Sequence, residues 1–245
     1  MLLPTQSIGF DELSVAVPTL IRYPTLRKLA ERVQQETLKA VTSPALYNDH
    51  NASHSARVLD SLYQTPIADA SVLVAITHER HPKLLLTLRA AHMNSHAGEV
   101  SCVGGKHEVG DGNNVVTALR EAHEETALPP DKVQLLGQLP IQTSKSGMSV
   151  RPIVALIAPD LVLVPELGEI SRIFWADFET LLTQPTVEYA VEYKVQNQTA
   201  TMLTPSWQVD GETVWGLTGR VVASLLETGF DRQLEWYYRV QNTRL

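Results

Sequence analysis

Three glutamates crowd the stretch ALREAHEETAL: Glu121, Glu124 and Glu125. On a helix turning about 100° per residue they fall within an arc of about 100°. One helical face would then present three carboxylates, a donor set suited to hard divalent cations such as Mg2+ or Mn2+, which take oxygen ligands and tolerate water in their shell. The glycine pair Gly104 and Gly105 precedes this helix. Backbone without Cβ turns tightly and can bring a carbonyl, that of Gly104, close to a bound ion. Arg120 lies four residues before Glu124, where it can orient that carboxylate as an outer partner. Like charges at helical spacing cost about 0.2–0.5 kcal/mol per pair. The stretch holds too few cations to cancel them, which points to compensation from outside the helix. A solvated acidic face is the alternative that the residue types alone leave open.

Other side chains offer less. Arg89, Lys106 and Arg151 can contact phosphate oxygens, the arginines bidentately and the lysine as a point charge, although each taken alone is more often a surface residue. His92 and His96 have an i, i+4 spacing, but no third zinc ligand stands at a recognisable distance; His96 is expected to shape the turn at HAG. Cys102 reads as a small buried apolar residue, with no neighbouring His/Asp pair to make it a nucleophile. Trp175 and Trp215 read as core aromatics.

These residues need a scaffold, and the chain has the means to build one. It holds 245 residues, 44% hydrophobic and 19% charged, enough for one globular domain with a sizeable core or a domain plus an extension. Its formal net charge of −7 argues against a general polyanion or nucleic-acid binder. The single cysteine excludes an internal disulfide. No long apolar run or leader-like start is present, so a cytoplasmic protein without membrane attachment is expected. Helical spacing over 25–41 and 54–63, separated by the polar loop YNDHNASH, marks an N-terminal helical extension over residues 1–65. From 66 to 245 the pattern is mixed: SVLVAITHE, KLLLTLRA and VSCVGG read as strands. The carboxylate helix follows, its apolar stripe formed by Val115, Ala118, Leu119 and Ala122, and Pro129 and Pro130 stop it. VQLLGQLPIQT, VRPIVALIA and EISRIFWAD are further strands, then a short helix near FETLL, two strand-like runs between Tyr189 and Val209, and a helix at WGLTGRVVASLLETG.

The full stretch resembles the Nudix box: Gly105, five residues, Asp111, a spacer, then Arg120, Glu121, Glu124 and Glu125 at the REXXEE positions. The spacer is one residue longer than in the general pattern. With TALREA, and with LLLTLRAAHMNSHAGEVSCVGG upstream and SGMSVRPIVALI and VWGLTGR downstream, this looks like the coenzyme A pyrophosphatase branch. The likeness covers roughly residues 70–228. It departs from that branch at Cys102 and Val103, where FPGG is usual, at Glu108 and Val109 in place of an Asp-Pro pair, and at Ala127 in place of a glycine. Alanine there would disfavour a left-handed helix end.

The resemblance implies an α/β fold, a Nudix-type α/β/α sandwich of mixed sheet between helices, with the helical extension packed on it. It implies metal-dependent hydrolysis of coenzyme A to 4′-phosphopantetheine and 3′,5′-ADP, with Mg2+ or Mn2+ held by Glu121, Glu124 and Glu125. It also marks Glu169, six residues before Trp175, as a further ligand or the general base. A Nudix hydrolase of another nucleoside diphosphate derivative and a catalytically silent binding module are the alternatives, and a homodimer is compatible with either.

Overall fold

The computed structural model describes residues 13–40, 52–93, 95–195 and 198–241. The sequence start and most of the loop at 47–54 lie outside them. The chain runs through β1 (Ser14–Val15), α1 (Pro24–Lys39), α2 (His54–Gln64), β2 (Ala70–Thr77), β3 (Lys83–Arg89), β4 (Val100–Ser101), β5 (Val103–Lys106) and α3 (Asn114–Thr126). It continues through β6 (Val133–Gln138), β7 (Gln142–Thr143), β8 (Ser149–Ile157), β9 (Ile170–Asp177), α4 (Phe178–Thr183), β10 (Val187–Val195), β11 (Gln198–Val209), β12 (Glu212–Val214), α5 (Gly216–Phe230) and β13 (Arg239–Gln241).

The main sheet has the order β1-β6-β8-β2-β3-β4, with β5 added on β2, β7 on β8 and β9 on β3. It is mixed: β1 with β6 and β2 with β8 are parallel, and the other pairs are antiparallel. Its central strands are apolar on both faces because both are covered. Leu73 and Ala75 of β2 join Ile153 and Ala155 of β8 in a core with Val58 and Leu62 of α2 and Val115, Ala118, Leu119 and Ala122 of α3. The alternate residues Val74, Ile76, Val154 and Leu156 meet Leu26, Leu29 and Val33 of α1 and Val221, Leu225 and Leu226 of α5. Each such aliphatic side chain contributes about 1.5–3 kcal/mol on full burial. The outcome is the expected layering of helices on both faces of a mixed sheet.

The described residues before 65 are built into this body. β1 extends the sheet edge, Gln34 Nε2 donates to the Ala16 carbonyl at 2.7 Å, and the Gln138 amide donates to Thr37 Oγ1 at 2.8 Å. Two strands expected as continuous are divided. VSCVGG breaks at Cys102, where the chain leaves β3 as partner and takes up β2. VQLLGQLPIQT breaks at Leu139 and Pro140 into β6 and β7, since proline has no amide to donate to a ladder. The runs between Tyr189 and Val209 form the β10–β11 hairpin of a second sheet, with β12 and β13 on the far side of β11.

Candidate active site

The carboxylate helix α3 starts where Asn113 caps it, its side chain accepting from the Val116 amide at 2.9 Å. Its apolar stripe is at most 1% exposed, which fixes the rotation of the helix on the sheet and sets Glu121, Glu124 and Glu125 along one margin. The helix ends at Ala127, which takes the left-handed conformation at φ 55° and donates its amide to the His123 carbonyl at 2.8 Å. An alanine there carries the Cβ strain that glycine would avoid.

Arg120 is the organiser. Its guanidinium donates to Asp111 Oδ1 at 2.8 Å and Oδ2 at 3.2 Å, to the Lys106 carbonyl at 3.0 Å, to Glu121 Oε1 at 3.1 Å and to Glu124 Oε2 at 2.9 Å. Asp111 is itself gripped by the Glu108 amide and the Thr117 hydroxyl, both at 2.9 Å. Burial opposes charge on Asp111, but these donors together hold its carboxyl below the usual range. The same contacts, the Asp111 hydrogen bonds first, raise Arg120 further above its ordinary value. Arg120 offsets part of the repulsion from within the helix, but it is shared with Asp111, and Arg89 of β3 stands beside Glu125 from outside the helix. Asp111 belongs to the quoted box pattern, yet its function as the anchor of Arg120 had no signal in residue spacing.

Glu125 is only 4% exposed. Its Oε2 accepts from the Gly104 amide at 3.1 Å, and Arg89 Nη1 stands 3.9 Å from Oε1. Burial, reinforced by Glu121 and Glu169 and opposed by Gly104 and Arg89, pushes its carboxyl up to about 7. Burial also raises Glu121, against Arg120. The two glycines are dictated by this crowding. Gly104 has φ +149°, and a Cβ there would overlap the Ser71 carbonyl and Val72; a Cβ on Gly105 would overlap the Glu121 carboxyl.

Glu169 is exposed and lies close enough to add repulsion to both Glu121 and Glu125. Its segment is tied to α3 because the Glu166 amide donates to the Glu125 carbonyl at 2.9 Å, and to β3 because the Ala90 amide donates to the Glu169 carbonyl at 2.7 Å. Arg89 is largely covered, with a buried Nε that has no partner. The structure thus gathers Arg89, Arg120, Glu121, Glu125 and Glu169, with Glu124 at the exposed margin. Lys106 enters through its carbonyl while its side chain is exposed. Arg151 is placed differently: it is buried on β8, donates to the Leu139 carbonyl at 3.2 Å, and makes no contact with these carboxylates. His92, set aside as a zinc ligand, bonds the Gly168 carbonyl at 2.9 Å beside Glu169.

The donor chemistry fits a hard divalent cation. Glu121 Oε2 and Glu124 Oε1 are not engaged by hydrogen bonds among the described residues, and Glu125 Oε1 has only the long Arg89 contact. As placed, no three His, Cys, Asp or Glu side chains among the described residues are gathered tightly enough to hold an ion. None of the described helices is long and apolar enough to cross a membrane.

Comparison with known proteins agrees with the box. A family model described as NUDIX domain matches residues 68–195. The uncharacterised Nudix hydrolase NudL of Pectobacterium atrosepticum is 38% identical over 156 residues, covering 64% of this chain and 80% of the relative. NudL of an Enterobacter species is 42% identical over 105 residues, covering 43% of this chain and 55% of the relative. Among solved structures, the NUDIX domain of Shewanella oneidensis NrtR complexed with ADP ribose has a TM-score of 0.39 and 19% identity, covering 59% of this chain and 89% of that one.

Proposed function

The chain belongs to the Nudix family, and on that premise we propose that it hydrolyses the diphosphate of coenzyme A or its derivatives, releasing 4′-phosphopantetheine and 3′,5′-ADP. The observation that carries the reading is the Arg120 fork, which holds one oxygen of Glu121 and one of Glu124 and leaves the other of each uncommitted. Glu121, Glu124 and Glu125, with the backbone of Gly104 beside them, would hold Mg2+ or Mn2+. Such an ion offsets phosphate charge and lowers the pKa of a bound water.

The protein's own groups do the rest. Arg89, with its unpartnered Nε, donates to a phosphate oxygen, and the exposed Lys106 ammonium meets another. Glu169 accepts the proton of the attacking water. The water oxygen bonds to one phosphorus, the bridging P–O bond breaks, and the second phosphate leaves with the bridging oxygen. Arg120 keeps the carboxylates in place throughout. The likeness of LLLTLRAAHMNSHAGEVSCVGG to the coenzyme A branch supports the choice of substrate.

A four-substrate panel at one Mg2+ concentration, with products resolved by mass, tests it. Coenzyme A should be cleaved with a higher kcat/KM than dephospho-coenzyme A, by about tenfold, because a donor left without its 3′-phosphate costs about 1–3 kcal/mol. ADP-ribose and diadenosine compounds should be much poorer. A preference for ADP-ribose would replace this substrate with another nucleoside diphosphate derivative.

A further inference from the structure

The segment between β8 and β9 carries an apolar strip that the chemistry above does not use. Residues 158–169 pass the C-terminal end of α3, with turns at 159–160 and 167–169 and an irregular stretch at 161–166 between them. Leu161 and Leu163 turn inward onto the core beneath α3. The intervening side chains face out, with Val162 83% exposed, Val164 57% and Leu167 70%. The segment has little freedom to turn these residues away. The Val164 amide donates to the Thr126 carbonyl and the Glu166 amide to the Glu125 carbonyl, both at 2.9 Å, and Ile170 and Glu169 close a turn onto Glu166. Three exposed aliphatic side chains within six residues are thus carried on a segment tied to the α3 backbone at Glu125 and Thr126, with Leu167 two residues from Glu169.

Single exposed apolar residues need no explanation; a fixed row at the margin of a strongly acidic site does, because it neither binds phosphate nor contributes to the core. Its size decides what can cover it. From the usual free energy of burying such side chains, the three offer roughly 200–350 Å2. A stable protein interface needs about 800 Å2 from each partner, so a second chain is poorly matched. A narrow flexible chain is well matched. From Leu167 to Val162 the strip extends at most about 16 Å at about 3.3 Å per residue.

We propose that Val162, Val164 and Leu167 form the specificity surface for the non-nucleotide arm of the substrate, a flexible chain with apolar carbons close to its phosphate. The inference rests on the reading of the site as a coenzyme A diphosphatase, in which that arm is pantetheine, with its gem-dimethyl carbon next to the scissile diphosphate. The diphosphate anchored among Arg89, Lys106 and the carboxylates leaves the arm running from Leu167 past Val164 toward Val162. The nucleotide half lies off the strip. Discrimination then comes from the arm as well as from the 3′-phosphate, and a nucleoside diphosphate with a polar sugar in place of the arm leaves the strip wet.

Val164→Ser, Leu167→Ser and the double variant keep every backbone hydrogen bond of the segment. Binding of the two products is measured by calorimetry, and coenzyme A turnover alongside. Each single change should raise the Kd of 4′-phosphopantetheine and the KM of coenzyme A about three- to tenfold, with kcat and the Kd of 3′,5′-ADP unchanged. An unchanged 4′-phosphopantetheine Kd, or an equal loss for both products, overturns the proposal. So does a dimer in sedimentation that dissociates in the double variant while the Kd stays put. A wild type that binds 4′-phosphopantetheine through the strip but does not cleave coenzyme A would refute the reading of the reaction while upholding the arm contact.

Discussion

Replacing Glu125 with glutamine separates what this carboxylate costs the fold from what it does for the reaction. Glu125 is 4% exposed and faces Glu121 and Glu169. Its carboxyl titrates at about 7 in the fold against 4.5 in a free chain. At 1.36 kcal/mol per pH unit that difference amounts to about 3 kcal/mol of folding free energy. The sign follows from which state ionises first. Below pH 4.5 both states carry the proton and the stability is fully present; as pH rises the unfolded chain loses its proton first, so stability falls, and the loss is complete once pH passes about 7. Glutamine is neutral throughout and can still accept from the Gly104 amide. In metal-free buffer, urea unfolding should show Glu125→Gln equal to wild type near pH 4 and more stable by up to about 3 kcal/mol at pH 8. Added Mg2+ or Mn2+ should restore stability to the wild type, most strongly at high pH, because the ion binds the folded, deprotonated form. Parallel pH profiles for the two proteins, or a variant less stable than wild type at pH 8 without metal, would show that the buried Glu125 carboxylate does not destabilise the fold.

Arg120→Ala strands the buried Asp111 and releases both Glu121 and Glu124, so thermal or urea unfolding should register a loss of about 3 kcal/mol together with a higher metal requirement for turnover. Gly105→Ala pushes against the end of the Glu121 side chain rather than backbone; the carboxyl must shift from its Arg120 contact, so unfolding should register only a small loss while the metal concentration for half-maximal rate rises at least severalfold. Ala127→Gly relieves the left-handed strain at the end of α3 and should stabilise by about 1 kcal/mol in denaturant titration, with unchanged kcat.

Which parts of this were legible beforehand follows from where the determining interactions lie. The apolar stripe of α3 and its stop before Pro129 are local, and so is the double-faced apolar run of β2, so spacing alone exposed them. The break at Cys102 is not local: β4 pairs Val100 with Leu88, whereas β5 pairs Gly104 with Val72, and six residues of strand-like composition cannot show a change of neighbour. Arg151 illustrates the same limit, since an arginine in a strand reads as a phosphate ligand or a surface residue until its Leu139 partner is seen. The grouping of the glutamates was plain from their spacing. The Arg120 fork was half visible, through Glu124 at i+4, while Asp111 and the Lys106 carbonyl reach it only because the preceding loop folds back. β1 could not be anticipated from two residues whose pairing depends on β6. The strip lies in the continuous apolar run Leu161–Val164 and at Leu167, and only the fold decides that Leu161 and Leu163 pack inward while Val162, Val164 and Leu167 stay exposed.

The central claim is that Glu124 and Glu125 serve the reaction by holding a divalent ion. Coenzyme A turnover by wild type, Glu124→Gln and Glu125→Gln, titrated with Mg2+ from limiting to saturating and followed by the mass of both products, tests it most directly. Wild type should release 4′-phosphopantetheine and 3′,5′-ADP only when metal is present, and at limiting metal both variants, which stay folded, should lose at least a hundredfold. Near wild-type turnover by both variants at limiting metal, or metal-independent cleavage by the wild type, would contradict it.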